Sequence, residues 1–147
     1  MTKVNATVIG GIGGTAIMST VSALIGMAGG PKMNSALLLA YMLHVSPIVG
    51  WILHFVVGIS FALIYTFLVM PRLSRISNPL SKGIIFGLIA FLLAMISLPA
   101  MGAIFGRMPP MVASMAAMTA VSILEHVVFG ITVVLIFDKL SMSKQKT

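Results

Sequence analysis

The sequence predicts an all-α membrane protein whose four transmembrane helices form two tandem hairpins. A short outer interfacial helix is expected in addition. Hydrophobic residues make up 59% of the 147 residues and charged residues only 7%, whereas about a quarter of a soluble domain is charged. Four stretches reach the roughly 20 apolar residues that a spanning helix needs. Because the chain is too short for two independent bundles, we expect one integral membrane domain over residues 1–147.

The first hairpin contains two predicted spans and a shorter helix between them. The first span covers about residues 4–27 and is followed by a Gly-Gly-Pro-Lys turn. Residues 34–43 are apolar but too few to cross a bilayer, so they predict a short interfacial or re-entrant helix. Pro47 separates this helix from the second span, which covers about residues 47–70.

The second hairpin follows a polar, basic loop at residues 71–82. Its first span is predicted at about residues 83–101, with Pro99 bending the end of the helix. A turn at residues 102–110 leads to the last span, at about residues 111–137. The remaining tail is polar.

The basic residues predict the orientation in the cytoplasmic membrane. Two of them, Lys32 and Arg107, fall in the turns on one side. The other seven fall on the opposite side: Lys3, Arg72, Arg75, Lys82, Lys139, Lys144 and Lys146. Cytoplasmic loops carry the excess of lysine and arginine, so both termini should be cytoplasmic. The net charge of +7 is then explained by topology and anionic lipid rather than by nucleic acid.

The two hairpins, at about residues 4–70 and 83–142, resemble each other in sequence. Residues 54–65 and 126–137 are identical at six of twelve aligned positions, at the offset that separates His54 from His126. At an offset one residue larger, two Gly-x-x-x-Gly motifs align, and such motifs allow close helix packing: Gly10, Gly14, Gly83 and Gly87. Both hairpins enter the membrane from the same side, which predicts a pseudo-two-fold axis along the membrane normal.

The two histidines are candidate cofactor ligands. His54 and His126 are each followed four residues later by a glycine, Gly58 or Gly130, on the same helix face. The resulting gap could admit a neighbouring helix or a planar macrocycle. Two such imidazoles could ligate a b-type haem or a metal ion. Alternatively, each ring simply makes a hydrogen bond across a helix interface.

Glu125 breaks the repeat, because its counterpart is Leu53. It is the one acidic residue within a predicted span, since Asp138 falls at the cytoplasmic end. Adjacent helix positions differ by about 100°, so Glu125 and His126 should not share a face. Its position is consistent with three roles. Glu125 could relay protons, could contact a partner, or could be a neutral acid hydrogen-bonded to a hydroxyl such as that of Ser122.

Further candidates lie near the outer turns. Thioether and imidazole groups suit copper(I), which makes His44, Met33, Met108 and Met111 possible ligands, although methionine is also an ordinary apolar filler. Trp51 is expected to anchor the second span at the interface or to meet a partner. The sequence shows neither a nucleophile–base set nor a phosphate loop nor a cluster of carboxylates, and we therefore expect no enzymatic activity.

Four segments resemble a family of small four-helix bacterial and archaeal membrane proteins of unknown function: "MAGGPKMNSALLLAYM", "GWILHFVVGISFALIY", "GRMPPM" and "EHVVFGITVVLIF". That family typically has a glycine-rich first helix, a Pro-Lys-Met turn, Trp-x-x-His-Phe, a Met-Pro-rich turn and His-x-x-x-Gly. The matching positions here are 10–14, 31–33, 51–55, 108–111 and 126–130. The resemblance implies the four-helix fold. Some relatives resemble neighbours of terminal-oxidase genes, which implies a respiratory context.

Together these observations predict a non-catalytic accessory subunit of a larger membrane complex, with a respiratory complex as the first candidate. Its partners would be the lipid bilayer and either other membrane subunits or further copies of the chain. One alternative is a di-histidine carrier of haem b or copper, acting in electron transfer or metal handling. Another alternative is a small oligomeric channel or transporter.

Overall fold

The computed structural model describes residues 2–108 and 110–142, and its longer helices coincide with the apolar stretches of the sequence. The helices are α1 (Lys3–Met27), α2 (Ser35–Leu43), α3 (Pro47–Ile64), α4 (Met70–Arg72), α5 (Pro79–Phe105) and α6 (Met115–Met142). A π-helical turn, Tyr65–Val69, joins α3 to α4. Four helices are long and apolar enough to cross a membrane, as predicted: α1, the continuous helix Pro47–Arg72, α5 and α6. Lys144, Lys146 and Pro109, which the sequence analysis used, lie outside the described residues.

Most helices begin at a polar side chain that accepts a hydrogen bond from a backbone N–H of the first turn. These caps are Thr2, Asn34, Ser46, Asn78 and Ser114. Such residues satisfy donors that have no partner inside the helix. In α3 and α5 the cap is followed by a proline, whose missing N–H costs nothing at this position.

The second hairpin differs from its predicted boundaries. α5 begins at Pro79 and passes through Pro99 to Phe105. It ends where Gly106 takes a left-handed conformation with φ +71° and donates to the carbonyl of Gly102. Pro99 therefore does not end the helix, because membrane helices tolerate an internal proline. α6 begins at Met115, later than predicted, and its described part continues to Met142.

The π-helical turn has a local cause. Pro71 lacks an N–H, and in a regular helix its ring would clash with the carbonyl four residues earlier. The wider turn directly before it relieves that clash. The guanidinium of Arg72 donates to the carbonyl of Leu68, so this carbonyl is still satisfied at the helix end.

α2 lies against the start of α3 and not along the length of a span. It buries Ala36, Ala40 and Met42 and exposes Leu37 and Tyr41. The approach is close, because a Cβ on Gly50 of α3 would collide with the carbonyl of Ala36. α2 ends at His44, which has a left-handed backbone with φ +58°.

α1 and α6 form the centre of the helix assembly. α1 packs along both α3 and α6, and α6 packs along both α1 and α5. In the described residues the backbones of α3 and α5 stay apart. An aromatic contact bridges the two sides, with the ring centroids of Tyr65 and Phe86 4.9 Å apart. Phe129 and Phe137 of α6 complete this aromatic part of the core.

One close glycine contact is equivalent inside the two hairpins. A Cβ on Gly11 would lie 2.7 Å from the Cα of Ile59, and a Cβ on Gly83 would lie 2.5 Å from the Cα of Ile131. These contacts align Gly11 with Gly83, at the same offset that relates His54 to His126. The sequence-based alignment of Gly10 with Gly83 is therefore one residue out of register.

Contacts between the hairpins are not equivalent. Gly10 and Gly14 of α1 pack against Val133 and Phe129 of α6, which brings these two helices together along their length. A pseudo-two-fold axis would require the same contact between α3 and α5, whose backbones stay apart in the described residues. The packing between hairpins thus departs from the predicted symmetry.

Candidate functional site

A polar cavity lies where α1, α3 and α6 meet the segment before α2. Its volume is about 100 Å³. We define it by its polar lining, with two hydroxyls from α1, two residues from the start of α2, one histidine from α3 and one acid from α6: Ser19, Ser22, Asn34, Ser35, His54 and Glu125. The packing of α6 on α1 brings Glu125 to this cavity, and the packing of α3 on α1 brings His54.

Glu125 is buried among apolar helices, with 1% of its surface exposed. Its Oε1 atom has no hydrogen-bond partner among the described residues. The predicted partner, Ser122, instead places its hydroxyl 3.5 Å from Nδ1 of His126. The carboxyl group has a hydrogen-bond partner in Ser22, but a buried polar atom without a partner is rare in proteins, and Oε1 of Glu125 therefore stands out in the cavity.

His54 faces α1. Its Nε2 lies 3.1 Å from the hydroxyl of Ser19, and the ring meets that of Trp51 edge-on at 6.1 Å. One turn along α3, Gly58 lies directly against Thr15 of α1. The small residue lets the two helices approach, so the gap beside the histidine is filled by a neighbouring helix.

His126 faces α5 and does not line the polar cavity. Its Nδ1–H donates to the carbonyl of Ser122 over 2.7 Å, and its ring meets Phe91 edge-on at 5.9 Å. Phe91 holds the place in the second hairpin that Ser19 holds in the first. The two hairpins thus put one histidine against a hydroxyl and the other against an aromatic ring.

The predicted haem ligands therefore do not face a common space. His54 is directed at Ser19 of α1 and the ring of His126 at Phe91 of α5, and His126 also donates to a carbonyl of its own helix. The polar cavity is also smaller than the roughly 300–1,000 Å³ of typical ligand pockets. The described arrangement does not fit a planar macrocycle between the two imidazoles.

The predicted copper ligands have different neighbours. Met33 lines the polar cavity, whereas the sulfur of Met108 lies against Gly102. His44 is exposed at the end of α2, and Met111 is 64% exposed. Among the described residues, no three histidine or acidic side chains form a group that could hold a metal ion.

The polar residues on the α1 side of the site were not predicted from the sequence. Ser19 and Ser22 lie three positions apart and so share a helix face. The Ser22 hydroxyl donates to the carbonyl of Met33 over 2.6 Å, which ties α1 to the segment before α2. Together with Thr15, these residues form a small polar stripe on an apolar helix. That stripe is the feature of the sequence from which the α1 side of the site could have been predicted.

Trp51 has a role beyond the predicted one. It is 38% exposed, as an anchor or partner contact would be, but it also lines the polar cavity beside His54. It therefore forms part of the wall between the cavity and the surroundings of α3.

Comparison with known proteins identifies a family but no activity. A family model described as "Family of unknown function (DUF6789)" matches residues 1–147. No curated protein and no solved structure matches the chain. The whole-chain match confirms the resemblance to a family of unknown function, and the chain belongs to the DUF6789 family.

Proposed function

We propose that the protein is a non-catalytic accessory subunit of a larger membrane complex, and a respiratory complex is the first candidate to examine. The proposal is supported by how much of each span the chain leaves uncovered. In the most apolar stretch of each span, at most 39% of the residues are buried within the chain, and in α5 only 22%. The remaining surface must meet lipid or another protein.

Two exposed apolar ridges on the edge helices carry the proposal. On α3, Ile48, Ile52 and Val56 are 74%, 58% and 51% exposed. On α5, Leu92 and Ile96 are 57% and 70% exposed. Residues four apart form ridges that fit the grooves of another helix. α5 packs extensively on α6 alone, and α3 packs on α1 and, at its start, on α2, so each ridge lies on a helix face that remains open for a partner.

The expected topology belongs to the same proposal, with both termini in the cytoplasm and α2 at the outer interface. The start of α1 lies beside the end of the helix Pro47–Arg72. Thr7 and Thr66 share a 2.9 Å hydrogen bond, and Lys3 lies 5.9 Å from the ring centre of Phe67. Lys3 and Arg72 are thus at one end of the assembly, which supports a cytoplasmic position for that end.

We further propose that the two hairpins are tandem copies of one ancestral unit. The equivalent contacts of Gly11 and Gly83 support this relation. After duplication, the asymmetric packing of α1 on α6 would have given the first hairpin a polar surrounding for its histidine and the second an apolar one.

Position-specific cross-linking tests the subunit proposal. A photoreactive amino acid at Ile52 or Leu92, on the two ridges, should yield a cross-link to the same partner protein in native membranes. Ile17 of α1 is 45% exposed and serves as the control at an exposed position off the ridges. A native mass of one chain with cross-links only to lipid at both ridge positions would contradict the proposal.

The same preparation addresses the haem alternative. We expect a reduced-minus-oxidised difference spectrum without Soret and α bands, because His54 and His126 are directed at different helices. Bands that disappear in His54→Ala would instead favour the di-histidine carrier.

A further inference from the structure

We propose that the polar cavity is a binding site for one small monovalent cation, either a hydrated proton or Na⁺, with Glu125 as its charged ligand. This inference goes beyond the subunit role and does not rest on it. It assigns a chemistry to the one acidic side chain that α6 buries against α1.

One carboxyl oxygen of Glu125 is buried without a hydrogen-bond partner. Glu125 is 1% exposed and its Oε1 has no partner among the described residues. Acidic residues inside membrane spans are costly and mark ion or proton sites. Ser22 is a hydrogen-bond partner of the carboxyl group, and a bound proton or cation would supply the partner that Oε1 lacks.

The size of the cavity and its oxygen atoms suit a small cation. About 100 Å³ holds only a few water molecules at roughly 30 Å³ each, which excludes a large organic ligand. Ser19, Ser22 and Glu125 offer oxygen atoms, the ligands that hard cations prefer. Ser22 uses its hydrogen to bond the carbonyl of Met33, which leaves its oxygen lone pairs as acceptors.

The charge of the cavity lining favours a monovalent ion. The groups that face Glu125 come from three helices. α3 contributes His54, α1 contributes hydroxyls, and the start of α2 contributes Asn34 and Ser35. The adjacent His126 faces α5 instead. No second acid lines the cavity, so one carboxylate would balance one positive charge.

The position of the cavity implies access from one side. Asn34 lines it and is exposed, with its side chain held as the cap of α2 by a 3.0 Å bond from the N–H of Leu37. Deeper in the assembly, Met18 lines the cavity and is 7% exposed. An ion would therefore enter and leave near residues 33–35. Access from one side fits binding and release of an ion and not its conduction across the membrane.

Labelling with dicyclohexylcarbodiimide tests the site in the purified full-length protein. This apolar reagent modifies protonated carboxyl groups in membrane helices, and mass spectrometry locates the adduct. We expect an adduct on Glu125 that is absent in Glu125→Gln and retained in Asp138→Asn. If Na⁺ is the ligand, NaCl should slow labelling more than choline chloride at equal ionic strength. If a proton is the ligand, only rising pH should slow it.

Two further results decide the inference. Ser22→Ala should raise about tenfold the Na⁺ concentration that half-protects Glu125 from labelling. If the ligand is a proton, the same substitution should change about tenfold the proton concentration at which labelling is half-maximal. Both changes are expected for the loss of one ligand to a charge. Ser122→Ala, whose hydroxyl is outside the cavity, should leave both concentrations unchanged. Labelling of wild-type Glu125 that responds to neither Na⁺ nor pH, or labelling of Asp138 alone, would overturn the proposal.

Discussion

Replacing Gly130 with alanine should force α5 and α6 apart, because only backbone atoms surround the new methyl group. The Cβ would lie 2.5 Å from the nitrogen and 2.7 Å from the Cα of Gly87, and it would also collide with the carbonyl of Gly83. Ordinary contact begins at 3.4 Å. The nearest Gly87 atom must therefore move by about 0.9 Å, and no side-chain rotation can relieve the clash.

The expected cost follows from this displacement. Overpacking costs roughly 1–3 kcal/mol, and a case limited to backbone atoms should lie near the upper end. Moving α5 and α6 apart by 0.5–1 Å also removes about a quarter to a half of the van der Waals attraction between their facing atoms. The better helix propensity of alanine offsets about 1 kcal/mol of this loss in stability. We therefore expect the free energy of unfolding to fall by about 2 kcal/mol.

Reversible unfolding in mixed micelles, titrated with a denaturing detergent, measures this change. Gly26→Ala is the matched control, because its Cβ would meet its nearest neighbour, Cγ of Lys32, at 3.5 Å. That variant should stay within about 1 kcal/mol of the parent protein. Equal unfolding free energies for Gly130→Ala and Gly26→Ala would refute the inferred contact between α5 and α6.

Two polar contacts yield further predictions. Thr7→Val and Thr66→Val remove the ends of a buried 2.9 Å hydrogen bond, and a double-mutant cycle should show a coupling of about 0.6 kcal/mol or more; zero coupling would contradict the contact. Ser19→Ala removes the partner of His54 and should destabilise the protein by about 1–2 kcal/mol and change the ¹⁵N shift of the ring. Ser122→Ala should leave the hydrogen bond from His126 to the backbone carbonyl of residue 122 intact. Equal changes in the ring shifts of His54 in Ser19→Ala and of His126 in Ser122→Ala would contradict these two hydrogen bonds.

Local sequence signals were sufficient for most of the fold. The four apolar stretches became four helices that could cross a membrane, and polar caps mark most of their starts. The predicted end of α5, at about residue 101, was too early, since the helix continues past Pro99 to Phe105 and a proline inside a membrane helix can be tolerated. The helix instead stops at Gly106, where a left-handed backbone at φ +71° favours glycine.

The site was harder to predict because it depends on contacts between distant segments. The sequence singled out Glu125 as the residue that breaks the repeat, but it could not identify Ser22 as a fellow lining residue of the cavity. That proximity arises from the packing of α1 on α6, which joins the first and last spans. The repeat symmetry did not predict the contact between α1 and α6, since the corresponding helices α3 and α5 lack a comparable contact in the described residues.

Infrared difference spectroscopy of the carboxyl groups tests most directly whether Glu125 is a ligand-binding acid. Spectra of the purified protein would be recorded between two pH values, and with Na⁺ against choline. We predict a carboxyl band that responds to at least one of these changes, disappears in Glu125→Gln and persists in Asp138→Asn. A spectrum without a Glu125-dependent band under any of these conditions would contradict the assignment of the polar cavity as a cation site.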